Sequence, residues 1–374
     1  MRSLLVTGGA GFIGTNFVRH WRDAHPDDPI VVLDALTYAG NRANLDGVAD
    51  LTFVHGDIRD EVLVERLLAD FAIHTLVHFA AETHVDRSIH DVDAFLQANV
   101  LGTHALLKAA KRAWLDGGSG RPHRFHHVST DEVYGSLGRD DPAFSEATAY
   151  APNSPYAASK AASDHLVRAY GRTYGLETTV SHCSNNFGPW QHPEKLIPLI
   201  LINALHGRDL PVYGDGLNIR DWLAVADHCR AIELILDKAA PGERFNIGGG
   251  SELTNLDLVG DLCSAVDDAF ARLPALAARF PAAPAALGVA TSSLVRHVAD
   301  RPGHDRRYAI DDAKIRAELG YAPARAFSSI LAETLDWCLA NEPWWRSMMT
   351  KAHEAWLETN YQGREPATAQ SVED

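Results

Sequence analysis

Two short groups of residues in this 374-residue sequence could perform acid–base chemistry. In the first, Tyr156 and Lys160 are four residues apart in "YAASKAASDHLVRAY", so a helix would bring the phenol and the ammonium to one face. A free tyrosine has a pKa of about 10, and nearby positive charge would let it act as a base near neutral pH. Taken alone the spacing is weak evidence, because ordinary amphipathic helices also contain Tyr-x-x-x-Lys by chance.

The second group is Thr130, Asp131 and Glu132 in "HVSTDEVYG". Two carboxyl groups can serve as an acid and a base if their surroundings separate their pKa values. They follow a predicted strand, at the edge where ligands bind in open α/β sheets. The competing interpretation is a solvated loop with a helix-capping aspartate, and it would be preferred without the Tyr-Lys pair and a cofactor motif.

The elements that must position these groups alternate between short β-type runs and helical patterns. The runs are "SLLVTG", "IVVLDA", "LTFVHGD", "TLVHFAA", "RFHHVST" and "TTVSHC". Such alternation predicts a Rossmann-type α/β fold with a doubly wound parallel sheet. After about residue 190 the pattern becomes irregular, which indicates a smaller α/β C-terminal lobe. We expect one domain over residues 1–185 and a second lobe over 186–374, with the chain partly returning to the first domain.

A glycine-rich segment supplies the cofactor signal. "VTGGAGFIG" places Gly8, Gly11 and Gly14 between a predicted strand and a helix, where backbone N–H groups can approach a pyrophosphate. Asp34 ends the next strand, where a carboxylate accepts from ribose hydroxyls and repels a 2′-phosphate. The motif therefore predicts NAD rather than NADP. Asp57 and Ile58 could flank the adenine, although Asp57 could equally cap the following helix.

Composition limits the remaining function classes. The formal net charge of −15 argues against nucleic acid or anionic membranes as general partners. The four cysteines are scattered, which suits a cytoplasmic protein without a disulfide framework. We interpret the apolar start as part of the glycine motif and not as a secretory signal, and no apolar run is long enough for a membrane span.

Nineteen histidines raise the question of a metal site. His126 and His127 are adjacent in a predicted strand and would face opposite sides of the sheet, so they cannot readily share one ion. We predict no metal. The Ala/Pro-rich segment "AFARLPALAARFPAAPAALGVATSS" predicts a surface insertion with a helical piece and a Pro-stiffened loop, and no chemistry is assigned to it.

Taken together the motifs resemble the nucleotide-sugar 4,6-dehydratases of the extended short-chain dehydrogenase/reductase superfamily. The resemblance covers about residues 3–340. It is carried by "LDALTYAGNRANL", "HFAAETHVDRSI", "STDEVYGSL", "SPYAASKAASD", "CSNNFGPWQHPEKLIPL", "NIRDWLAVADH" and "ADRPGHDRRYAID". The Thr-Asp-Glu triplet discriminates best, because sugar epimerases and reductases of this fold lack the acidic pair.

The resemblance implies an internal redox reaction on dTDP-glucose that yields dTDP-4-keto-6-deoxyglucose and water. Tyr156, assisted by Lys160 and Thr130, would deprotonate the 4-hydroxyl as hydride passes from C4 to NAD. Glu132 would then remove the C5 hydrogen while Asp131 protonates the departing 6-hydroxyl. Hydride returns to C6, so NAD would remain bound between turnovers.

Residue assignments at the binding sites also follow from the resemblance. The first domain would bind NAD and the second lobe mainly the nucleotide sugar. The cofactor-binding residues implied are Gly8, Gly11, Phe12, Ile13, Gly14, Asp34, Asp57, Ile58, Ala80, Ala81, Thr83, Asn99, Tyr156 and Lys160. The substrate-binding residues implied are His84, Thr130, Asn185, Lys195, Leu196, Pro211, Tyr213, Arg220, Asn255, Arg301 and His304. Guanidinium groups would clamp the diphosphate despite the acidic surface.

Other interpretations remain open. The chain could be a 4,6-dehydratase of another nucleotide sugar, such as CDP-glucose, or a nucleotide-sugar 4-epimerase, which would dispense with the acidic pair. A cofactor-sensing binding protein without turnover ranks last, since it has no need of Tyr156 and Lys160. The resemblance also implies a homodimer formed by the helix from about Asp91 to Trp114 and the helix at Tyr156, although both apolar faces could instead pack on the sheet.

Overall fold

The computed structural model describes residues 2–117 and 122–361; the ends of the expected domains, residue 1 and residues 362–374, lie outside these ranges. Twelve strands occur in the described residues, numbered in chain order. They are β1 (Leu4–Thr7), β2 (Ile30–Asp34), β3 (Leu51–His55), β4 (Thr75–His78), β5 (Arg124–Thr130), β6 (Thr178–Cys183), β7 (Asn185–Phe187), β8 (Leu210–Tyr213), β9 (Ile219–Ala224), β10 (Arg244–Ile247), β11 (Glu252–Thr254) and β12 (Val295–Val298).

Seven of these strands form one parallel sheet in the order β10-β6-β5-β4-β1-β2-β3. The order reverses at β1, which is where a doubly wound sheet opens a crevice at the carboxyl ends of its strands. Two small sheets, β11-β9-β7 and β12-β8, lie in the second half of the chain. The predicted doubly wound α/β fold is confirmed. Strand β10 returns to the main sheet from beyond residue 185.

Helices connect and cover the strands. They are α1 (Phe12–Ala24), α2 (Glu61–Asp70), α3 (Val85–His90), α4 (Val92–Phe95), α5 (Thr103–Lys111), α6 (Pro155–Tyr174), α7 (Leu196–Leu205), α8 (Val225–Lys238), α9 (Asn255–Arg272), α10 (Ala275–Arg279), α11 (Ala313–Leu319), α12 (Phe327–Ala340), α13 (Glu342–Met348) and α14 (Lys351–Tyr361). The helix expected from about Asp91 to Trp114 is present as α4 and α5 joined by a π-helical stretch over Leu96–Gly102.

Side-chain alternation along the buried strands divides the core between the two faces of the sheet. Leu5 points to a cluster that includes Leu67 of α2, Leu106 of α5 and Val167 of α6. Leu4 points to the opposite cluster, with Phe17 of α1 and residues of α8. Both faces of the sheet are therefore covered, which explains why its strands are almost continuously apolar.

Helix α6 is delimited by local signals. The Ser154 side chain accepts from the Ala157 N–H, Pro155 occupies the first turn, and Gly175 ends the helix with a left-handed φ of 77°. This start places Tyr156 in the first turn, directly against the carboxyl end of β5.

The Ala/Pro-rich segment is more firmly packed than a surface insertion. It forms α10 and two 3₁₀ turns, and Leu276, Phe280 and Ala283 are buried in the core of the second half together with residues of α7, α9 and α12. The expected helical piece is present as α10 and much of the segment is exposed, but Leu276, Phe280 and Ala283 join the core and do not lie at the surface.

Candidate active site

Two adjoining cavities, of about 640 and 200 Å³, lie at the carboxyl ends of the main-sheet strands. Thr83, Glu132, Asn185, Lys195 and Leu196 line both of them. The larger cavity runs along the glycine loop after β1 to the turn after β5. The smaller one extends from that turn toward β8 and β9.

The glycine loop is built for a close turn. Gly8 has φ +70°, and a Cβ there would meet the backbone N of Ala80 at 2.6 Å. A Cβ at Gly14 would come within 2.2 Å of the Gly8 carbonyl oxygen. Asp34 anchors the glycine loop to the end of β2. Its carboxylate accepts hydrogen bonds from the Ala10 N–H at 2.9 Å and from the Leu36 N–H at 2.8 Å. Any larger residue at Gly8 or Gly14 would therefore displace backbone.

The residues assigned to a cofactor lie together with one exception. Those that line the larger cavity are Gly8, Gly11, Phe12, Ile13, Gly14, Asp34, Asp57, Ile58, Ala80, Ala81, Thr83, Tyr156 and Lys160. Asn99 lies behind this lining and accepts from the Glu82 N–H at 2.8 Å. It also donates to the Glu82 carbonyl and the Ser159 hydroxyl, so it supports the wall of the cavity.

Asp57 shows how one wall of the cavity is arranged. Its carboxylate accepts from the Arg59 guanidinium at 2.6 Å and from the Arg59 N–H at 2.8 Å. Hydrogen bonds from the Arg59 side chain lower the pKa of Asp57, against a smaller effect of burial. Asp60 caps the following helix by accepting from Leu63 N–H, so Asp57 does not have that role.

The 3₁₀ turn over Asp131–Tyr134 presents the acidic pair to the cavities. Thr130 caps this turn, and its hydroxyl donates to Asp131 Oδ1 at 3.4 Å. The Asp131 side chain is buried, and neither Asp131 Oδ2 nor Glu132 Oε2 has a hydrogen-bond partner within the described chain. Buried acceptors without partners are costly to leave unpaired, so these oxygens are suited to a polar ligand.

The two carboxyl groups have different surroundings. Burial raises the pKa of Asp131 well above its usual value, and the charges of Glu132 and Asp221 raise it further. Burial also raises the pKa of Glu132, but the Arg301 and Arg220 guanidiniums oppose that shift. This arrangement favours Asp131 as the protonated acid and Glu132 as the base.

Tyr156 and Lys160 share the cavity without a direct bond between them in the described chain. Lys160 Nζ donates to the Val128 carbonyl at 2.8 Å. Burial raises the pKa of Tyr156 well above 10, the Glu132 charge adds to this, and the nearby Thr130 side chain opposes it. Within the chain itself burial therefore opposes the deprotonation that positive charge near the phenol is expected to favour. Burial likewise lowers the pKa of Lys160 to about 8.

The smaller cavity collects the residues assigned to a substrate. All but one of these residues line it: His84, Asn185, Lys195, Leu196, Pro211, Tyr213, Arg220, Asn255, Arg301 and His304. The exception, Thr130, lines the larger cavity. Arg220 is fixed by donation to the Ile219 and Asp305 carbonyls and by stacking on Tyr308 at 4.1 Å. Arg301 Nε is buried and has no hydrogen-bond partner among the described residues. The cavity thus offers cationic donors to an anion.

Sequence reasoning did not assign Tyr38, Glu194 or Trp356, which surround Arg87 beside the smaller cavity. Arg87 lies between the rings of Tyr38 and Trp356, at 4.1 and 4.3 Å, and pairs with the buried Glu194 at 3.0 Å. Trp356 belongs to α14, the last described helix, beyond the part of the chain that carried the motifs. No local pattern identifies a tryptophan in a C-terminal helix as a neighbour of His84, which lines the smaller cavity.

Histidines and cysteines of the site have structural contacts. The ring nitrogens of His126 form hydrogen bonds with the Thr179 and Ser181 hydroxyls. His127 faces the other side of the sheet, near Lys160. The described residues contain no group of three or more His, Cys, Asp or Glu that could hold a metal ion. Burial raises the pKa of the Cys183 thiol to about 12, so this side chain is not a thiolate nucleophile. No described helix has the length and apolar character needed to cross a bilayer.

Comparisons with known proteins agree with this geometry. A family model described as GDP-mannose 4,6 dehydratase matches residues 5–334. The dTDP-glucose 4,6-dehydratase of Salmonella typhimurium is 46% identical over 97% of this chain and 99% of its own length. That of Xanthomonas campestris pv. campestris (strain B100) is 51% identical over 92% of this chain and 95% of its own length.

A solved structure gives the same assignment. The crystal structure of DesIV, the dTDP-glucose 4,6-dehydratase of Streptomyces venezuelae with NAD and TYD bound, is 50% identical and has a TM-score of 0.81. The match covers 92% of this chain and 99% of that one. The resemblance seen in the motifs is therefore confirmed, and this chain belongs to the dTDP-glucose 4,6-dehydratase family.

Proposed function

We propose that this protein converts dTDP-glucose to dTDP-4-keto-6-deoxyglucose with loss of water, using NAD without net change of the cofactor. The observation that carries the proposal is the pair of buried carboxyl groups beside Tyr156, each with an unpartnered oxygen and with surroundings that separate an acid from a base. A 4-epimerase has no use for that pair. Family membership supports the same reaction.

The residues of the larger cavity fit NAD. The turn at Gly8 and Gly14 brings backbone N–H groups and the start of α1 to where a pyrophosphate would lie. The Asp34 carboxylate, already oriented by two backbone amides, retains lone pairs for ribose hydroxyls and repels a 2′-phosphate. When bound, NAD supplies a hydride acceptor that later acts as the donor.

The first proton step belongs to Tyr156. In its phenolate form Tyr156 would take the proton of the sugar 4-hydroxyl as hydride leaves C4, and it would become a neutral phenol. The chain raises the pKa of the phenol through burial, so the proton transfer needs all the positive charge available nearby, including the Lys160 ammonium. Thr130 is adjacent to the phenol and can hydrogen-bond to the same hydroxyl.

The acidic pair performs the elimination. A ketone at C4 acidifies the C5 hydrogen, which Glu132 removes, while the neutral Asp131 carboxyl donates its proton to the departing 6-hydroxyl. Water forms from that hydroxyl and that proton. The proton on Glu132 exchanges with solvent, and Glu132 then protonates C5 as hydride adds to C6.

Proton balance gives Thr130 a second task. Each turnover leaves the proton of the 4-hydroxyl on Tyr156 and leaves Asp131 without its own. The Thr130 hydroxyl lies 3.4 Å from Asp131 Oδ1 and within reach of the phenol, so it connects the group that gains a proton with the group that loses one. Transfer along this short path would reset both groups.

The smaller cavity would hold the dTDP diphosphate. Arg220, already fixed by carbonyls and Tyr308, and Arg301, with its free Nε, present guanidinium groups to phosphate oxygens. Lys195 adds a buried ammonium whose pKa burial lowers. In this division residues 1–185 bind the cofactor and the lobe from residue 186 binds most of the nucleotide.

We also propose a homodimer in the cytoplasm. Val92, Leu96 and Leu101 expose apolar side chains along the α4–α5 helix, and Tyr174 does so on α6. A second copy of this chain would cover the two helices together. All four cysteines are free thiols, which suits a reducing compartment. Light scattering of the purified protein should give twice the chain mass of 40.8 kDa.

Substrate specificity tests the proposal. Purified protein is incubated with dTDP-glucose, CDP-glucose or UDP-glucose without added NAD, and the product is identified by NMR. Formation of the 4-keto-6-deoxy sugar from dTDP-glucose alone is expected. Conversion of CDP-glucose in its place would assign a different dehydratase, and a C4 epimer as the product would assign an epimerase.

A further inference from the structure

A buried polar cluster lies behind the catalytic helix and has no part in the steps above. Its centre is Asp164, one turn after Lys160 on α6 and 4% exposed. Asp164 Oδ2 accepts from the Ser129 and Tyr150 hydroxyls and contacts His182 Nε2, each at 3.0 Å. A carboxylate with this many partners is held as an anion.

One imidazole ring, that of His127, lies between this carboxylate and the ammonium group of Lys160. His127 Nε2 lies 3.3 Å from Asp164 Oδ1 and 3.5 Å from Lys160 Nζ. Burial lowers the pKa of His127 to about 4, so the ring is neutral at neutral pH. A single neutral ring therefore separates the Asp164 anion from the Lys160 ammonium.

We propose, resting on the function above, that Asp164 is a positioning residue for the reaction: its negative charge, acting across the His127 ring, keeps Lys160 charged beside Tyr156. Burial works against that charge, and the groups that oppose burial at Lys160 are Asp164 first and Cys183 second. Cys183 is itself held as a thiol. Asp164 is thus the anion on which the ammonium depends.

The other groups that face Lys160 and Asp164 do not supply the negative charge that Asp164 provides. Lys160 is faced by His127 from β5, Cys183 from β6 and Tyr156 from its own helix, and none of these carries a fixed negative charge. Asp164 is faced by His127, His182, Tyr134 and Tyr150. Burial raises the pKa of Asp164, but hydrogen bonds from His127 and His182 outweigh it, and the carboxyl titrates well below its usual range.

Asp164 can also be reached from outside the active site. Together with Tyr150, His165, Arg168 and Arg244 it lines a separate cavity of about 850 Å³ on the other side of α6. A small anion could enter by this route without passing through the cofactor or substrate cavities. This allows the charge to be removed by mutation and then restored chemically.

The test is the pH profile of kcat in the NAD-bound enzyme. Since Lys160 acts in its protonated form, activity falls as pH rises through the lysine pKa. In Asp164→Asn, loss of the anion should move that alkaline limb to lower pH by about one unit or more. Tyr150→Phe is the matched control, because it removes the hydroxyl that contacts Asp164 and His182 but leaves the carboxylate, and its limb should stay at the wild-type position.

A second variant with a smaller side chain shows whether the effect comes from the lost charge or from misfolding. Asp164→Ser leaves space in the cluster and should show the same displaced limb, and added formate should restore both the limb and the rate while neutral formamide does not. A limb that stays in place in a folded Asp164 variant, or equal rescue by formamide, would overturn the proposal. Wild-type conversion of dTDP-glucose reports separately on the function, so failure of that conversion is a different result.

Discussion

The substitution Asp131→Asn removes the proposed general acid and leaves every other side chain of the site in place. The amide has nearly the shape of the neutral carboxyl group and can keep the contact with Thr130, but it has no proton to give to the departing 6-hydroxyl. Burial and the Glu132 charge raise the pKa of the wild-type carboxyl and favour its protonated form, so the change replaces a neutral carboxyl by a neutral amide. Binding of substrate should therefore survive.

General acid catalysis contributes about 10²–10⁴-fold, equivalent to roughly 3–5 kcal/mol of barrier. We expect kcat of Asp131→Asn to fall by this factor with little change in KM, measured from product formation by NMR. Oxidation at C4 should persist, and the near-ultraviolet absorbance of reduced nicotinamide should rise when the variant is mixed with substrate. A kcat within about threefold of wild type would refute the role of Asp131 as the acid.

The same variant tests the protonation state through stability. An unfolded aspartate ionises near pH 4, whereas burial raises the pKa of folded Asp131, so above that pH unfolding of the wild type releases a proton. Wild-type stability should fall relative to the variant by about 1.4 kcal/mol per pH unit from about pH 5 upward, until the folded pKa is reached. Urea unfolding at several pH values measures the difference. A difference independent of pH would mean that the folded carboxyl is not held protonated.

Three further predictions concern the rest of the site. Glu132→Gln should slow turnover by about 10²–10⁴-fold and prevent deuterium from D₂O from entering C5, which NMR of the reaction mixture detects. Gly14→Ala should lower both the melting temperature and the amount of NAD that copurifies, since its Cβ would lie 2.2 Å from the Gly8 carbonyl oxygen; unchanged cofactor content would contradict the tight turn. Arg301→Gln should raise KM for dTDP-glucose about tenfold or more with a smaller effect on kcat, as expected for loss of a charged hydrogen bond to phosphate.

The main sheet could be predicted because its information is local. Each strand such as β1 is a short apolar run next to a helix or a glycine turn, and parallel pairing follows from that alternation. The return of β10 to the sheet and the packing of Phe280 into a distant core depend on contacts far apart in sequence. Alanine and proline content says little about such contacts.

The candidate site also has some residues that local spacing predicts and others that depend on distant contacts. Tyr156, Lys160 and the Asp131–Glu132 pair have fixed local spacing, and the fold brings them to one cavity. The spacing could not show how strongly burial opposes ionisation of the Tyr156 phenol, because the depth of a side chain depends on distant elements. Trp356 and Asp164 were missed because their partners lie on other elements.

Transfer of the label from [4-²H]dTDP-glucose tests the central claim most directly. The purified enzyme, without added NAD, is given a mixture in water of this substrate, also labelled with ¹³C throughout the glucosyl ring, and unlabelled substrate, and the product is analysed by NMR and mass spectrometry. The account predicts deuterium at C6 of the ¹³C-labelled product molecules and none in the ¹³C-free ones. Deuterium retained at C4, or product that carries no deuterium at C6, would contradict it.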